Sequence, residues 1–543
     1  MTKALGVVVA ALAAAACGGG SNGKSSASTE PTPTPTTSTP PAATPLPTTP
    51  DTPTPPSTTT TTPPTPAPPP PPVTLDAWTF YSTDQGLSAS PNDVSADEAG
   101  NVYVAGYDAL YVKQRGETAF KKFDAAAGLT KNCYGSTDAE RQAFIRVAQP
   151  KDGAGNPLPL SMCPVISVAG TSAGKAVIGF KGVGTDSDAD ATWAIYSGGA
   201  DVVSFDGTTV TRDRHVLVAS PPGVICEFPI CSVVDPTDPT GVKCLTPELG
   251  SDGYPICHPW GTWTDGRLKL RQVQRIVVNR KPGIGQGDVA MGGTHSNVTV
   301  LVAKPGDRGW VDLTKGDPAW ADTKYVWEHE HPYDTVSGVF LTGEAWALGF
   351  DPASGNLWTS NQFRTFHVGL YNSMTRPTVH QWWGDNVYLP ALWAPQMDPF
   401  DGAGRDNVQS LSFCNDGTMW IASLGHGLAR VRSDGSVSYF SVPVPGGDLL
   451  ASVACDPSDS SVWVGSAFDG GIHRLKNGQW STIPAGAPAF ALTGPVRSIQ
   501  IDRWATPRIV YFAHLSQTQT TTNPDGTKST VVLPGGVSAY AGP

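Results

Sequence analysis

The stretch "DGTMWIASLGHGLARVRSDGSVSYF", Asp416 to Phe440, alternates apolar and polar side chains and is interrupted by glycine-containing turns. Alternation of this kind predicts strands with one buried face, and glycine turns between such runs predict hairpins. The stretch therefore predicts three consecutive antiparallel strands. The apolar run "VQSLSF", which starts at Val408, adds a fourth strand before them.

The same four-strand pattern recurs along the chain. Three good copies and four looser copies begin at Val94, Val408, Ala451, Val165, Val273, Glu344 and Val496. A spacing of about 42 to 46 residues between the clearest copies is typical of the blades of a β-propeller. We therefore expect an all-β fold, a seven-bladed β-propeller of four-stranded antiparallel blades.

The two ends of the repeat region complement each other. The last copy ends at "GGVSAYAGP" after three strands, and an orphan strand, "AWTFYSTDQGL", precedes the first copy. That orphan matches "FKKFDAAAGL", the outer strand of the first copy. We expect the run from Ala77 to Ser82 to complete the last blade, so that the ring closes and no sheet edge stays exposed.

Two segments resemble a known repeat. "GLSASPNDVSADEAGNVYVAGYDALYV" and "NDGTMWIASLGHGLARV" are similar to the two-component-regulator propeller repeat, in which an Asp-x-x-Gly-x-aromatic-aliphatic core precedes a Gly-Gly or Gly-Leu turn. The resemblance implies a sensor or binding ectodomain. A propeller supports many unrelated functions, so it specifies the fold more than the activity.

The N-terminus has the features of an export signal. Lys3 precedes the apolar run "ALGVVVAALAAAA", which is too short for a stable membrane span. The following "LAAAACGGG" resembles the lipobox of bacterial lipoproteins, which implies that residues 1–17 are a signal peptide and that Cys17 carries a lipid. The alternative is ordinary signal-peptide cleavage after an Ala-x-Ala site, which would release a soluble protein.

Composition separates a tail from the propeller. Residues 18–73 are dominated by Pro and Thr, with almost no apolar surface to bury, which predicts a disordered stalk. Residues 74–543 form the predicted propeller. We expect an exported monomer that touches the membrane only through its lipid and resides in the cell envelope, at the surface or outer membrane. A net charge of −11 argues against nucleic acid as a partner.

Cysteine content agrees with export. Of the nine cysteines, Cys17 is the predicted lipid attachment site, and the other eight form an even set. No Cys-x-x-Cys pair is present, so we expect structural disulfides rather than a metal or exchange site, with the pairing left open. The set consists of Cys133, Cys163, Cys226, Cys231, Cys244, Cys257, Cys414 and Cys455.

Long insertions indicate where a ligand would bind. All fall between blades or between the second and third strands of a blade, and both positions lie on the same face of a propeller. Long loops on a rigid scaffold usually carry binding, so we place ligand binding on this face. The candidate residues are polar side chains at the channel mouth and aromatic side chains in the loops: Asp108, His295, His426, Asp469, His514, Trp382, Trp383 and Trp393. Simple turn exposure and packing of the aromatic residues on the rim are the alternatives.

One motif could bind a metal. In "WEHEHPYD", His329 and His331 are two residues apart, so both imidazoles would point the same way from an extended chain, as two ligands of a divalent metal would. The alternative is a polar loop whose histidines bond to backbone carbonyls.

Three functions remain open from the sequence. The first is a surface-anchored lipoprotein whose propeller binds a protein or glycan ligand through its loop-bearing face, with no catalytic residue. The second is an exported metal-dependent lyase or hydrolase with its site at the channel mouth, for which the candidates are His295, His329, His331, His426 and Glu328. The third is a structural spacer with no pocket and no ligand. We favour a binding protein over an enzyme.

Overall fold

The structure is a computed structural model. It describes residues 69–130, 164–181, 199–216, 224–227, 230–234, 242–244, 272–283, 285–293, 297–301, 303, 325–329, 333–334, 339–340, 345–360, 365–367, 392–393, 406–443, 449–523 and 525–542. The chain divides into two units, Met1–Pro66 and Ala67–Pro543, and all described residues belong to the second. The predicted signal peptide, Cys17 and most of the predicted stalk lie outside the described residues.

The first half of the described chain forms three blades. Two strands, β1 (Val73–Leu75) and β2 (Trp78–Tyr81), come first. Blade 1 consists of β3 (Asp93–Ala96), β4 (Val102–Ala105), β5 (Leu110–Lys113) and β6 (Lys121–Phe123). Blade 2 consists of β7 (Val165–Gly170), β8 (Lys175–Phe180), β9 (Ala200–Phe205) and β10 (Val210–Val216). A small sheet of β11 (Val224–Glu227), β12 (Ile230–Val234) and β13 (Val242–Cys244) precedes blade 3, which contains β14 (Val273–Val278), β15 (Val289–Gly293), β16 (Asn297–Leu301) and β17 (Tyr325–His329).

A shorter sheet follows. The pair β18 (Tyr333–Asp334) and β19 (Val339–Phe340) leads to a three-stranded sheet of β20 (Ala347–Phe350), β21 (Leu357–Ser360) and β22 (Thr365–His367). Its first strand, β20, contacts both β14 of blade 3 and the first strand of the next blade. The short sheet therefore occupies its own place in the ring.

Three further blades complete the ring. Blade 4 contains β23 (Val408–Phe413), β24 (Met419–Ser423), β25 (Gly427–Val431) and β26 (Val437–Phe440). Blade 5 contains β27 (Leu450–Cys455), β28 (Val462–Ser466), β29 (Ile472–Lys476) and β30 (Gln479–Thr482), and helix α1 (Ala489–Thr493) follows it. Blade 6 contains β31 (Val496–Asp502), β32 (Ile509–His514) and β35 (Gly536–Tyr540), and the hairpin of β33 (Gln517–Thr522) and β34 (Lys528–Leu533) lies between the last two in sequence.

The expected closure is confirmed. Strand β2 pairs with β35, so blade 6 has the order β31-β32-β35-β2-β1 and combines strands from both ends of the propeller. The matched sequences "STDQGL" and "DAAAGL" both form a 3-10 turn that ends at a glycine with positive φ, Gly86 at 79° and Gly128 at 89°. The fifth strand, β1, was not predicted and pairs with the outer side of β2.

The blade count differs from the expectation. The described residues form six blades of four or more strands, whereas we expected seven, because the unit at Glu344 contributes only the three-stranded sheet β20–β22. Residues 368–391, where a fourth strand would follow β22, lie outside the described residues. The all-β propeller architecture with four-stranded antiparallel blades is otherwise as expected.

The core lies between neighbouring blades, where the flat faces of the sheets pack on each other. Tyr103 of blade 1 and Ile178 of blade 2 are fully buried in one such cluster, and Phe512 of blade 6 is fully buried in another. Within the described part of the chain, no helix reaches the length and hydrophobicity of a membrane-spanning segment.

Candidate functional site at the central channel

The first strands of the sheets line a central channel. Antiparallel order puts the turns between first and second strands at one end of the channel, here named the short-turn face, and the connections between blades at the other, the loop-bearing face. A cavity of about 390 Å³ occupies the channel on the short-turn side. Its wall takes residues from β3, β7, β14, β20, β23, β27 and β31, so every sheet of the ring contributes.

A repeated position in the first strands links neighbouring blades. We name it the staple position. Each residue at this position of a first strand pairs in register with an alanine, glycine or serine of the second strand. The residues are Asp93, Ser167, Arg275, Ala347, Ser410, Ser452 and Ser498. Ser167 Oγ donates to the carbonyl oxygen of Val273 at 2.6 Å, and Ser452 Oγ donates to that of Val496 at 2.7 Å. Ser167 and Ser452 therefore bind the next blade and satisfy their own hydroxyls.

Arg275 has the longest side chain at the staple position and lines the channel cavity. Four staple positions carry serine and the next one, Ala347, ends at Cβ, whereas Arg275 carries a long guanidinium. Its Nε donates to the carbonyl oxygen of Trp346 at 3.4 Å, and its Nη2 donates to that of Gln409 at 3.5 Å. Both hydrogen bonds are long for an arginine, and the side chain is 6% exposed. Burial lowers its pKa.

The counter-charge of Arg275 is Asp93, at the staple position of blade 1. Burial raises the pKa of Asp93, and Arg275 opposes that shift. The Asp93 oxygens accept hydrogen bonds from the backbone N–H groups of Val94 and Val168, both at 2.9 Å. No carboxylate of the described residues comes within 4.0 Å of the Arg275 nitrogens, so the two charges interact without a direct ion pair.

The mouth on the short-turn face is basic. Arg280 donates to the carbonyl oxygen of Thr171 at 2.6 Å and lies 4.7 Å from the ring centre of Trp504. Burial, with the neighbouring positive charge of Arg503, lowers the pKa of Arg280 to about 10. Arg503 itself is exposed at the rim, although partial desolvation by the wall lowers its pKa.

Asn279 adds an unsatisfied donor to the same wall. It occupies the end of the first strand, where four other sheets carry Asp97, Asp351, Asp456 and Asp502. Its Oδ1 accepts from the backbone N–H of Lys281 at 3.0 Å, but its buried Nδ2 has no hydrogen-bond partner among the described residues. A buried donor without a partner costs about 1–3 kcal/mol. Asn279 is 0% exposed, so this donor is enclosed by protein atoms and does not face the open cavity.

The predicted site residues lie at the opposite end. Asp108 accepts from Tyr111 Oη at 3.0 Å and from Lys122 Nζ at 2.8 Å, and Asp469 is exposed. His426 is half-buried, and its ring stacks on Trp393 with centroids 5.5 Å apart. None of these residues lines the described cavity.

His514 differs from its expected exposure. Its side chain is fully buried, and Nε2 lies 2.8 Å from Ser538 Oγ. Burial lowers its pKa to about 3, so the ring is neutral in the folded protein at ordinary pH. A histidine in this position packs inside blade 6 and does not face the channel mouth.

Seven of the predicted site and disulfide residues lie outside the described part of the chain. They are His295, His331, Trp382, Trp383, Cys133, Cys163 and Cys257. His329 ends β17, and Cys226, Cys231 and Cys244 lie in β11, β12 and β13, but only their backbone is described. Within the described chain, no group of three His, Cys, Asp or Glu side chains could hold a metal ion.

One predicted disulfide is present. Cys414 and Cys455 are bonded, with Cα atoms 5.2 Å apart. The bond joins the ends of β23 and β27, the first strands of blades 4 and 5, and Cys455 lines the cavity. The short-turn end of the channel is therefore covalently reinforced.

Aligned copies of the repeat contain a signal for the channel site, an arginine where other copies have serine. "VQRIVV" from Val273 aligns with "VQSLSF" from Val408 and "VRSIQI" from Val496, and Arg275 falls where the other two copies have serine. A charged residue at a buried position of a repeat is a departure that only the aligned copies reveal. Such departures mark functional sites more often than regular positions do.

No protein-family model matches the chain, and no curated protein sequence matches it. Among solved structures, virginiamycin B lyase from Staphylococcus aureus is similar at 10% sequence identity and a TM-score of 0.40, covering 85% of this chain and 99% of that one.

Proposed function

We propose that this protein is an exported binding module that takes up a small ligand in the central channel of its propeller. The observation that carries the proposal is the cavity of about 390 Å³, walled by the first strands of all the sheets. Cavities that bind small molecules are typically about 300–1,000 Å³. Exposed turn residues, including Asn415 and Arg503, form its rim and give a ligand access from the short-turn face.

The wall is suited to specific binding because it is rigid. Its strands are paired within each sheet, stapled to the next blade by serines such as Ser167 and Ser452, and joined by the Cys414–Cys455 disulfide. A site on rigid elements loses little conformational entropy when a ligand binds. The ligand would therefore find its contacts already in position.

The loop-bearing face provides a second surface in this proposal. Trp393 stacks on His426 with ring planes 16° apart, and its ring also lies 5.9 Å from that of Tyr439. Flat aromatic faces suit sugar rings and the side chains of a protein partner. We propose a glycan or protein partner for this face, separate from the channel ligand.

The anchor is proposed from the sequence. A lipid on Cys17 would hold the chain to the membrane, since each buried methylene contributes about 0.8 kcal/mol and two chains give stable attachment. A Cys17→Ala variant of the full chain should move from the membrane fraction to the soluble fraction of its host. Equal distribution of the two proteins would contradict lipid anchoring.

We also propose that the ring has seven blades, one for each of the seven copies of the strand pattern in the sequence. Strand β20 stands between β14 and β23 in the ring, which is the place of a first blade strand. An experimental structure should show a fourth strand paired with β22 within residues 368–391.

Channel binding can be tested by blocking the cavity. Gln500 lines it from β31, and its side chain forms no hydrogen bond among the described residues, so Gln500→Trp should fill space without breaking a side-chain hydrogen bond. Small polar metabolites would be screened by thermal shift against the full chain, Gln500→Trp and a matched control, Gln519→Trp, on the exposed hairpin strand β33.

A metabolite that stabilises the wild type and the control but not Gln500→Trp would support the proposal. Stabilisation that is equal in all three proteins would place binding outside the channel and contradict it.

A further inference from the structure

We infer that the channel ligand carries an oxyanion, a carboxylate or a phosphate, bound by Arg503 at the rim with Arg275 as the cation of the inner wall. The inference rests on the proposed channel function and names the chemistry of its ligand. It starts from the cavity wall, in which the described residues include four cationic side chains and no carboxylate. The cations are Arg275, Arg280, Lys281 and Arg503. A wall of one charge sign in a chain with net charge −11 departs sharply from the average of the molecule.

Arg275, the most buried of these cations, has N–H donors that the protein does not use. A guanidinium has five N–H donors, and Arg275 uses Nε and Nη2 in two long bonds to backbone carbonyls. Its Nη1 has no hydrogen-bond partner among the described residues. The planar fork matches the geometry of a carboxylate or phosphate, which can accept two parallel hydrogen bonds.

Two departures from the repeat occur in blade 3. Arg275 stands at the staple position where four blades have serine, and Asn279 stands where four sheets have aspartate. Arg275 adds a cation to the cavity wall, and Asp93 of blade 1 opposes part of its charge. Asn279, which is 0% exposed, leaves the end of β14 without the carboxylate that the other sheets carry there.

Of the three cations at the mouth, two already have hydrogen-bond partners in the protein. Lys281 Nζ donates to the carbonyl oxygen of Ser354 at 2.9 Å, and Arg280 binds two carbonyls of β7 and its turn and lies 3.7 Å from Glu98. Arg503 has no hydrogen bond or ion pair among the described residues. We therefore assign the rim contact to Arg503 and attraction of the anion to the whole cluster.

A purely structural role for Arg275 makes a different prediction. As a staple, Arg275 would need only its bonds to Trp346 and Gln409, and the channel would bind neutral molecules as well as anions. An oxyanion site instead requires that anionic molecules bind and their neutral counterparts do not. It also requires that Arg503 contributes to binding, although this rim residue forms no hydrogen bond between blades among the described residues.

The experiment is calorimetric titration of the full chain at constant ionic strength. The probes are succinate, inorganic phosphate and succinamide, the neutral counterpart of succinate. The variants are Arg503→Gln, Arg275→Gln and Gln500→Trp, with Arg432→Gln on an exposed turn of blade 4 as the matched control. Because Arg503 is exposed, its variant tests the inference even where Arg275→Gln fails to fold.

We expect succinate or phosphate to bind the wild type and Arg432→Gln, and succinamide not to bind. Arg503→Gln should weaken binding roughly tenfold or more, as the loss of one charge-assisted hydrogen bond does. Preference for succinate over phosphate, or the reverse, would identify the oxyanion. Equal affinity in the wild type and Arg503→Gln would overturn the inference.

Two further results separate this inference from the proposed function. Binding of neutral metabolites but not of oxyanions, abolished by Gln500→Trp, would leave the channel as a binding site and overturn its oxyanion chemistry. Oxyanion binding that survives both Arg503→Gln and Gln500→Trp would place the anion elsewhere and overturn both proposals.

Discussion

Trp78 of β2 stands directly opposite Tyr540 of β35, and their ring centroids are 4.8 Å apart. The contact joins the strand at the N-terminal end of the propeller to the last described strand. Trp78 also lies 5.9 Å from Trp463 of blade 5 and 5.6 Å from Phe512 of blade 6. The ring is thus closed by an aromatic cluster, whose large buried area stabilises the contact between sequence-distant strands.

Replacing Trp78 with alanine should open this closure. Trp78 is 5% exposed, and truncation of a buried aromatic side chain costs about 3–5 kcal/mol of unfolding free energy. Urea unfolding followed by fluorescence would measure the loss. Val73→Ala, in the neighbouring strand β1 at a side chain that is 55% exposed, is the control and should change stability by less than about 0.5 kcal/mol. Similar effects of the two substitutions would show that β2 does not lock the ring.

Ser452→Ala tests the serine staples. The substitution removes the hydrogen bond from Ser452 Oγ to the carbonyl oxygen of Val496 and leaves that buried oxygen short of a partner. We expect a loss of about 1–3 kcal/mol in unfolding free energy. Ser433→Ala, on an exposed turn of blade 4, should have almost no effect and serves as the control. A neutral result for Ser452→Ala would mean that the staples do not contribute to blade packing.

The Cys414–Cys455 bond should contribute through the loop that it closes. The two cysteines are 41 residues apart, and loop-closure entropy for that length corresponds to about 4 kcal/mol. The Cys414→Ser/Cys455→Ser double variant, compared with the oxidised wild type, should show this loss in thermal or denaturant unfolding. Peptide mapping of the wild type checks that the bond is formed. Unchanged stability of the double variant would contradict a stabilising role.

His514 predicts a dependence of stability on pH. Its pKa falls from 6.5 to about 3 on folding because the ring is buried, so between these values the unfolded state binds more protons than the folded state. Stability from this group is therefore present above pH 6.5 and is lost as pH falls towards 3, by about 1.4 kcal/mol for each pH unit.

The measurement is urea unfolding at pH 7, 6, 5 and 4 for the wild type, His514→Gln and the control Ser433→Ala. His514→Gln should flatten the pH dependence because glutamine does not titrate, while Ser433→Ala, which changes no titratable group, should keep the slope of the wild type. Parallel pH curves for the wild type and His514→Gln would contradict the linkage.

The sequence was informative about elements that depend on local pattern. Alternating side chains and glycine turns predicted the strands of blade 4, and the match between "STDQGL" and "DAAAGL" predicted that β2 completes the last blade. It was less informative where a neighbour in space decides the outcome. His514 has the sequence context of an exposed turn, yet the fold buries it beside Ser538 of β35.

The candidate site shows the same division. The loops and turn residues of the loop-bearing face were prominent in the sequence because insertions and histidines are visible there. The channel residues were not, because Arg275 and Arg503 are far apart along the chain and each looks like an ordinary member of a strand or turn. Only ring closure brings them into one cavity wall.

By itself, the sequence determined the repeat, the antiparallel strands, the pairing of the two ends and the cysteines available for disulfides, because strand periodicity and turn chemistry act over a few residues. Tertiary structure alone decided which side chains share the channel, which cysteines pair among the described residues and where a donor stays unsatisfied. Those outcomes depend on packing the first strands of the sheets around one axis, which places residues far apart in sequence against a common cavity.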